Sequence, residues 1–190
     1  MKILIDRLSQ TPAELVFGPD DPGWDEVLES VPEMGGPLGA RPTATIRAHR
    51  MGRDVYLEGS LEGGALDLEC GRCLVRYGSP LRESFRLVLE PAGGRVPAEP
   101  EAARDLARLG MCLGDELEMG WFQGPEIDLR AWLREVVALT IPVQPLCREE
   151  CRGLCPRCGA DRNRETCACE AERPASPFAA LEALRRRPGR

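Results

Sequence analysis

PLCREECRGLCPRCGADRNRETCAC, residues 145–169, holds six of the nine cysteines in a chain of 190 residues. Thiolates this closely spaced form a metal site: zinc takes four soft donors in a tetrahedron at about 2.3 Å, and neighbouring pairs can grip one ion together. Cys155-Pro156-Arg157-Cys158-Gly159 has the form of a zinc knuckle. Its glycine stands where the chain must turn tightly for backbone amides to point at the sulfurs. The metal therefore organises this end of the chain, and the rest of the fold is read outward from it.

The remaining composition allows one core with a small appendage, since 43% of the residues are hydrophobic and the length is that of one large domain. No apolar run approaches the roughly 20 residues that cross a bilayer, and the opening Met1-Lys2-Ile3-Leu4-Ile5-Asp6 becomes charged too early for a signal peptide. The expected location is the cytoplasm, with no membrane partner. A reducing compartment disfavours structural disulfides, and the odd count of nine cysteines fits poorly with complete pairing. Zinc is preferred to an iron–sulfur cluster, because the pattern is one of paired cysteines with short loops rather than a ferredoxin-type run.

The net charge of −6 is unevenly spread: residues 1–140 carry −9 and residues 141–190 carry +3. The cysteine-rich end is thus the basic end, with Arg148, Arg152, Arg157, Arg162 and Arg164 between the thiols and Arg185, Arg186 and Arg187 near the terminus. Guanidinium forks suit phosphate. An acidic body nevertheless repels a polyanion over a Debye length of about 10 Å, so a nucleic-acid contact must be local, and a basic protein partner is equally compatible.

The hydrophobic pattern predicts an α+β fold, an antiparallel β-sheet (a meander or partial barrel) covered by a helix, followed by the Cys-rich zinc-binding segment. Residues 2–8 read as a short strand, and residues 18–40 as a loop with one helical turn around Trp24 to Val31. A four-strand meander is expected over residues 43–89, with turns at 51–54, at Gly63-Gly64 and at Gly78-Ser79-Pro80. Residues 91–100 form a linker and 101–109 a short helix. Residues 128–140 form the main helix, capped by Asp128, with Leu129, Trp132, Leu133, Val136 and Val137 on one face and Pro142 ending it. A last helix is expected from Ser176-Pro177, with arginines at its C-terminal end. The corresponding division is sheet and helix over 1–141, metal-binding segment over 142–172, and C-terminal helix with basic tail over 173–190.

A second pair, Cys70-Gly71-Arg72-Cys73, lies between two expected strands. Alone it reads equally as a redox dithiol, half of a metal site or two small buried residues. Counting favours metal, because eight cysteines in pairs make two sets of four and only Cys112 is left over. Cys155, Cys158, Cys167 and Cys169 form the local set, and Cys147 and Cys151 join Cys70 and Cys73, so that one or two structural zinc ions bind and the second cross-links sheet to tail. Cys112 reads as core filling, His49 as a surface or satisfied residue, and Asp115, Glu116 and Glu118 as a solvated acidic face. There is no GxSxG, GxxxxGK[ST] or HExxH, and no arrangement with a histidine base, so no enzymatic activity and no small-molecule substrate are expected.

These residues together resemble the YceD family, the large ribosomal RNA subunit accumulation proteins of bacteria and plastids. The resemblance is carried by Cys70-Gly71-Arg72-Cys73-Leu74, Ile127-Asp128-Leu129, Ile141-Pro142 and Pro145-Leu146-Cys147. It continues through Cys151-Arg152-Gly153-Leu154-Cys155-Pro156-Arg157-Cys158-Gly159, Asn163, Cys167-Ala168-Cys169 and the Pro-Phe-x-x-Leu-x-x-Leu form of residues 177–184. It runs from Ile3 to the end, apart from residues 91–125. Membership implies a role in synthesis, processing or stability of large-subunit ribosomal RNA, with pre-ribosomal RNA or a ribosomal protein as partner. Arg162 departs from the pattern, since such sequences often carry leucine there. The competing expectations are a thiol-disulfide redox protein acting through Cys70 and Cys73, and a zinc-ribbon module on nucleic acid, which lacks a basic recognition helix here.

Overall fold

In the computed structural model, described for residues 1–114 and 118–169, the chain is an α+β structure built on a six-stranded, mostly antiparallel sheet. Among the described residues the strands of the chain are β1 (Lys2–Leu4), β2 (Ala13–Phe17), β3 (Thr43–Met51), β4 (Asp54–Glu69), β5 (Arg76–Pro91), β6 (Met111–Leu113), β7 (Met119–Phe122) and β8 (Glu126–Asp128). The helices are α1 (Gly23–Ser30), α2 (Pro100–Leu109) and α3 (Arg130–Leu139). Strand order in the main sheet is β2-β3-β4-β5-β7-β6, and β1 pairs with β8 as a separate two-stranded ribbon.

Period-two alternation sets the two faces of the sheet. Ala44, Ile46, Ala48, Val55, Leu57, Leu61, Leu87 and Leu89 point inward and are at most 0% exposed. Trp24 and Val27 of α1 and Trp132, Leu133 and Val137 of α3 close over them, with the edge of the Trp132 ring against Phe85 at 4.7 Å between centroids. The outer face is a ladder of opposite charges: Glu14, Arg47, Glu58 and Arg86 stand in register across four strands, and Arg86 reaches on to Glu118 at 2.7 Å. Each exposed pair is worth only a few tenths of a kcal/mol, roughly, but alternation along the row suits a face left to water.

The expected meander is corrected at two points. Gly63-Gly64 is not a turn; β4 runs through it as one strand of 16 residues, with a register shift between Leu61 and Gly64. Gly63 supplies the left-handed backbone of the bulge (φ 76°), and a side chain on Gly64 would collide with Pro42, because the 38–42 segment crosses there to pair Ala40 with Ala65. Gly78-Ser79-Pro80 likewise lies inside β5, in register with residues 65–67 of β4. The first expected strand is β3, and two long strands, β4 and β5, replace the other three; the hairpin between them carries Cys70-Gly71-Arg72-Cys73 at its tip.

Residues 2–8 hold a strand of only three residues followed by a 3-10 turn, Ile5–Arg7. The single helical turn expected near Trp24 is an eight-residue helix, held because Trp24 and Val27 bury one face. Strands β2, β6, β7 and β8 were not anticipated. The main helix begins at Arg130, two residues later than expected, since Asp128 is in β8; its Oδ1 accepts the Arg130 backbone N–H at 3.1 Å and still orders the first turn. Cys112 packs with Ala92 and Leu106 as core filling, His49 stacks on Tyr56 at 5.2 Å, and Glu118 is paired. Asp115, Glu116 and the expected C-terminal helix lie outside the described residues. No helix of the described residues is long and apolar enough to cross a membrane.

Candidate metal centres

The eight paired cysteines come together as two sets of four: Cys70, Cys73, Cys147 and Cys151, and Cys155, Cys158, Cys167 and Cys169. In each set all four sulfurs lie within 4.8 Å of one another. In the first, Cys70 Sγ is 3.7 Å from Cys151 Sγ and Cys73 Sγ 3.7 Å from Cys147 Sγ. A tetrahedron of metal–sulfur bonds of about 2.3 Å has edges of about 3.8 Å, whereas a disulfide needs sulfurs about 2 Å apart. The spacing therefore fits one ion per set. It leaves no room for a polynuclear cluster, which would hold its thiolates apart by interposed irons.

Both sets are built on the same turn. In the knuckle at Cys155, the Gly159 N–H donates to the Cys155 carbonyl at 2.9 Å, with Gly159 at φ 74°. At the hairpin tip the Leu74 N–H donates to the Cys70 carbonyl at 2.9 Å, with Leu74 at φ 58°. The left-handed conformation that glycine adopts freely costs leucine about 1–2 kcal/mol. Leu74 is the one residue other than glycine with positive φ among the described residues, and its side chain is 57% exposed. Leu74→Gly is accordingly expected to raise stability of the metal-loaded protein by up to about 1 kcal/mol in guanidinium melts, after glycine's greater unfolded-state entropy is subtracted. A loss of stability instead would show that the leucine side chain carries a contact worth more than the backbone strain.

The tail is clamped to the hairpin by more than sulfur. The Gly71 N–H donates to Pro145 O at 2.8 Å, the Leu154 N–H to Arg72 O at 2.9 Å, and the Arg72 guanidinium to Cys151 O at 2.9 Å. Gly153, at φ 69°, allows this approach, since a Cβ there would sit 2.8 Å from the Arg72 carbonyl oxygen. Asn163 ties the two centres together: its Oδ1 accepts from the Arg152 N–H at 2.8 Å, and its Nδ2 donates to Cys151 Sγ at 3.5 Å and to Asp161 Oδ1 at 2.8 Å. Arg162 is exposed and takes part through its backbone N–H, given to Gly153 O. An exposed side chain here makes no packing demand on the knuckle that arginine fails to meet.

The electrostatics of each set call for a cation. Burial opposes charge on Cys70, but the amides of Cys147, Cys73 and Arg72 outweigh it and hold the thiol at about 6. Burial and the neighbouring sulfurs push Cys147 up to about 12. In the second set the amides of Cys158 and Arg157 bring Cys155 to about 6, while Cys158, burial and Cys155 drive Cys169 up to about 12. One thiolate forms readily and the last resists, because four negative sulfurs in so small a volume repel each other unless a dication is among them. Leu146, Leu154 and Tyr77 cover the first set, where Cys70, Cys73 and Cys151 are buried; Cys158 of the second is exposed.

Sequence reading did not assign Arg72 or Asn163 a role or see the strain at Leu74. The matched spacing of Cys-x-x-Cys-Leu and Cys-x-x-Cys-Gly was the signal for the last.

Fold and site define a class: an α+β protein whose sheet hairpin and C-terminal segment supply two tetracysteine centres. Residues 57–185 match the family described as large ribosomal RNA subunit accumulation protein YceD, and the chain belongs to that family. It is similar to the chloroplastic large ribosomal RNA subunit accumulation protein YCED homolog 1 of Arabidopsis thaliana, 26% identical over 168 residues, covering 78% of this chain and 50% of that protein. It is also similar to an uncharacterized protein of Mycobacterium tuberculosis, 31% identical over 121 residues, covering 64% of this chain and 51% of the other, with the same figures for a Mycobacterium bovis protein. The chain spans about half the length of the curated relatives it matches. No solved structure matches it.

Proposed function

We propose that this protein is a non-enzymatic ribosome-biogenesis factor of the cytoplasm that supports synthesis, processing or stability of large-subunit (23S) ribosomal RNA. Two structural zinc ions, held by Cys70, Cys73, Cys147 and Cys151 and by Cys155, Cys158, Cys167 and Cys169, make residues 145–169 a rigid surface that docks on pre-ribosomal RNA or a ribosomal protein. The observation carrying this reading is the convergence of each four sulfurs to within 4.8 Å in a chain of the YceD family. With every position filled by thiolate, the ions have no open site for water and stabilise the fold without reacting.

Depletion in the source cell is expected to lower the ratio of 23S to 16S ribosomal RNA at least twofold, restored by the wild-type chain and not by Cys147→Ser. An unchanged ratio would reject the role in ribosomal RNA. A redox role for Cys70 and Cys73 is disfavoured by their burial, since a disulfide substrate must reach the attacking sulfur. Both are expected to resist alkylation in the zinc-loaded protein.

A further inference from the structure

Strand β5 is paired with β4 along nearly its whole length, but among the described residues its other edge is paired only from Val88 to Pro91, by β7. Val88 turns its N–H toward that edge, donating to Glu118 O at 2.9 Å. By the strand period of two, Arg86 and Ser84 present their N–H and C=O groups to the same side. Pro80, also an even position, has no N–H to give there, which suits an unpaired edge. The Ser84 N–H has found a substitute acceptor in the carboxylate of its own neighbour Glu83, at 3.2 Å.

The edge opens onto a cleft of about 300 Å³ between β5 and α3. Phe85, Trp132, Val136 and Leu139 line it, and Leu139 is 59% exposed. Glu83 and Glu135 stand at its rim, and neither enters an ion pair among the described residues. Arg86, the cation beside it, is engaged by Glu118. A strand edge unpaired among the described residues, an adjoining apolar trough and two carboxylates outside any ion pair there are what strand addition requires: main-chain bonds for affinity, pockets for alternate side chains, and a charge that selects the partner.

We propose that this cleft docks an extended basic segment of a protein partner, which adds to the sheet as a strand alongside residues 82–87. Its alternate apolar side chains enter the trough against Trp132 and Val136, and its lysines or arginines meet Glu83 and Glu135. The carboxylate of Glu83 gives up the Ser84 N–H to an incoming carbonyl and becomes free to pair. Nucleic acid is excluded from this face by the sign of its charge. Filled metal centres sharpen that preference, because an ion with four thiolates carries a net −2 and adds to a chain already at −6.

The test is selection of a phage-displayed library of random dodecapeptides on the full-length, zinc-loaded protein. Enriched peptides are expected to alternate β-branched or aromatic residues with lysine or arginine. N-methylation of alternate backbone amides, and Glu135→Lys in the protein, should each weaken binding of a selected synthetic peptide at least tenfold by fluorescence anisotropy. Absence of enrichment, or peptides that bind equally well when N-methylated, would overturn the proposal. So would a dimer in sedimentation equilibrium that Glu135→Lys dissolves, which would assign the cleft to a second copy. Peptide uptake seen only after Arg185, Arg186 and Arg187 are changed to glutamate would assign it to the chain's own basic end, and would equally overturn an external partner.

Discussion

Removing the metal with a strong chelator is expected to detach residues 142–169 from the hairpin tip while strands β3 to β5 remain folded. Beyond the cysteines its contacts with the hairpin are a few hydrogen bonds from Gly71, Arg72 and Leu154 and the packing of Leu146 and Leu154 with Tyr77 around the first set. A structural four-thiolate site contributes on the order of 10 kcal/mol in small zinc modules, far more than those bonds at about 1 kcal/mol each. Hydrogen exchange followed by mass spectrometry should show amides of residues 145–169 losing protection by at least a hundredfold, with the buried strands unchanged. Elemental analysis should give two zinc ions per chain, and one in either Cys70→Ser or Cys155→Ser. Cys155→Ser should leave the tail attached through the first centre, whereas Cys70→Ser should free it from the sheet. Metal-free protein with residues 145–169 fully protected would remove the structural role of the ions.

The second large effect is expected at Arg130. Asp128 is only 3% exposed, and the Arg130 guanidinium grips its carboxylate while also reaching Glu26 on α1, so that one side chain joins β8, α3 and α1. Arg130→Met keeps the packing volume but leaves a buried carboxylate without its guanidinium and with only the backbone N–H of residue 130, a loss of about 3 kcal/mol. Burial works against the Asp128 charge, but Arg130 outweighs it and holds the carboxyl below its usual value of 3.8. A carboxyl depressed in the folded state stabilises above its unfolded pKa, and that contribution is lost as pH falls through the lower folded value. Wild-type stability should therefore decline below about pH 4. In Arg130→Met the sign reverses, since protonating an unpaired buried carboxylate relieves it, and the deficit against wild type should shrink as pH falls from 7 toward 4. Denaturant melts across that range decide it. A deficit that does not change with pH would mean that Arg130 acts only through packing.

Much of this structure was legible from residue types alone where chemistry leaves few options. Eight thiols in close pairs point to metal ligation, and the apolar positions of α3 recur at helical spacing. Glycine misled, because it marks a turn, a bulge and a close backbone approach with the same letter; Gly63-Gly64 is the second and third of these rather than the first. Strands of three or four residues such as β6, β7 and β8 are too short for alternation to register, and they form because β1 and β5 offer them edges. The α1 helix was underestimated because its proline- and glycine-rich flanks concealed the buried face made by Trp24 and Val27. Leu74 was legible only by setting its turn beside the one ending at Gly159, since its backbone obeys the geometry of the cysteine turn and not its own preference.

The first centre joins sulfurs that are 81 residues apart in sequence, Cys70 with Cys151, whereas the second spans 155 to 169. Closing the longer loop costs chain entropy that is offset only once β4 and β5 have already brought the hairpin tip into being. During maturation the short loop can capture its ion unaided, and the long one must wait. An ion held at the first centre would thus act as a late latch, and its occupancy would mark chains that have finished folding.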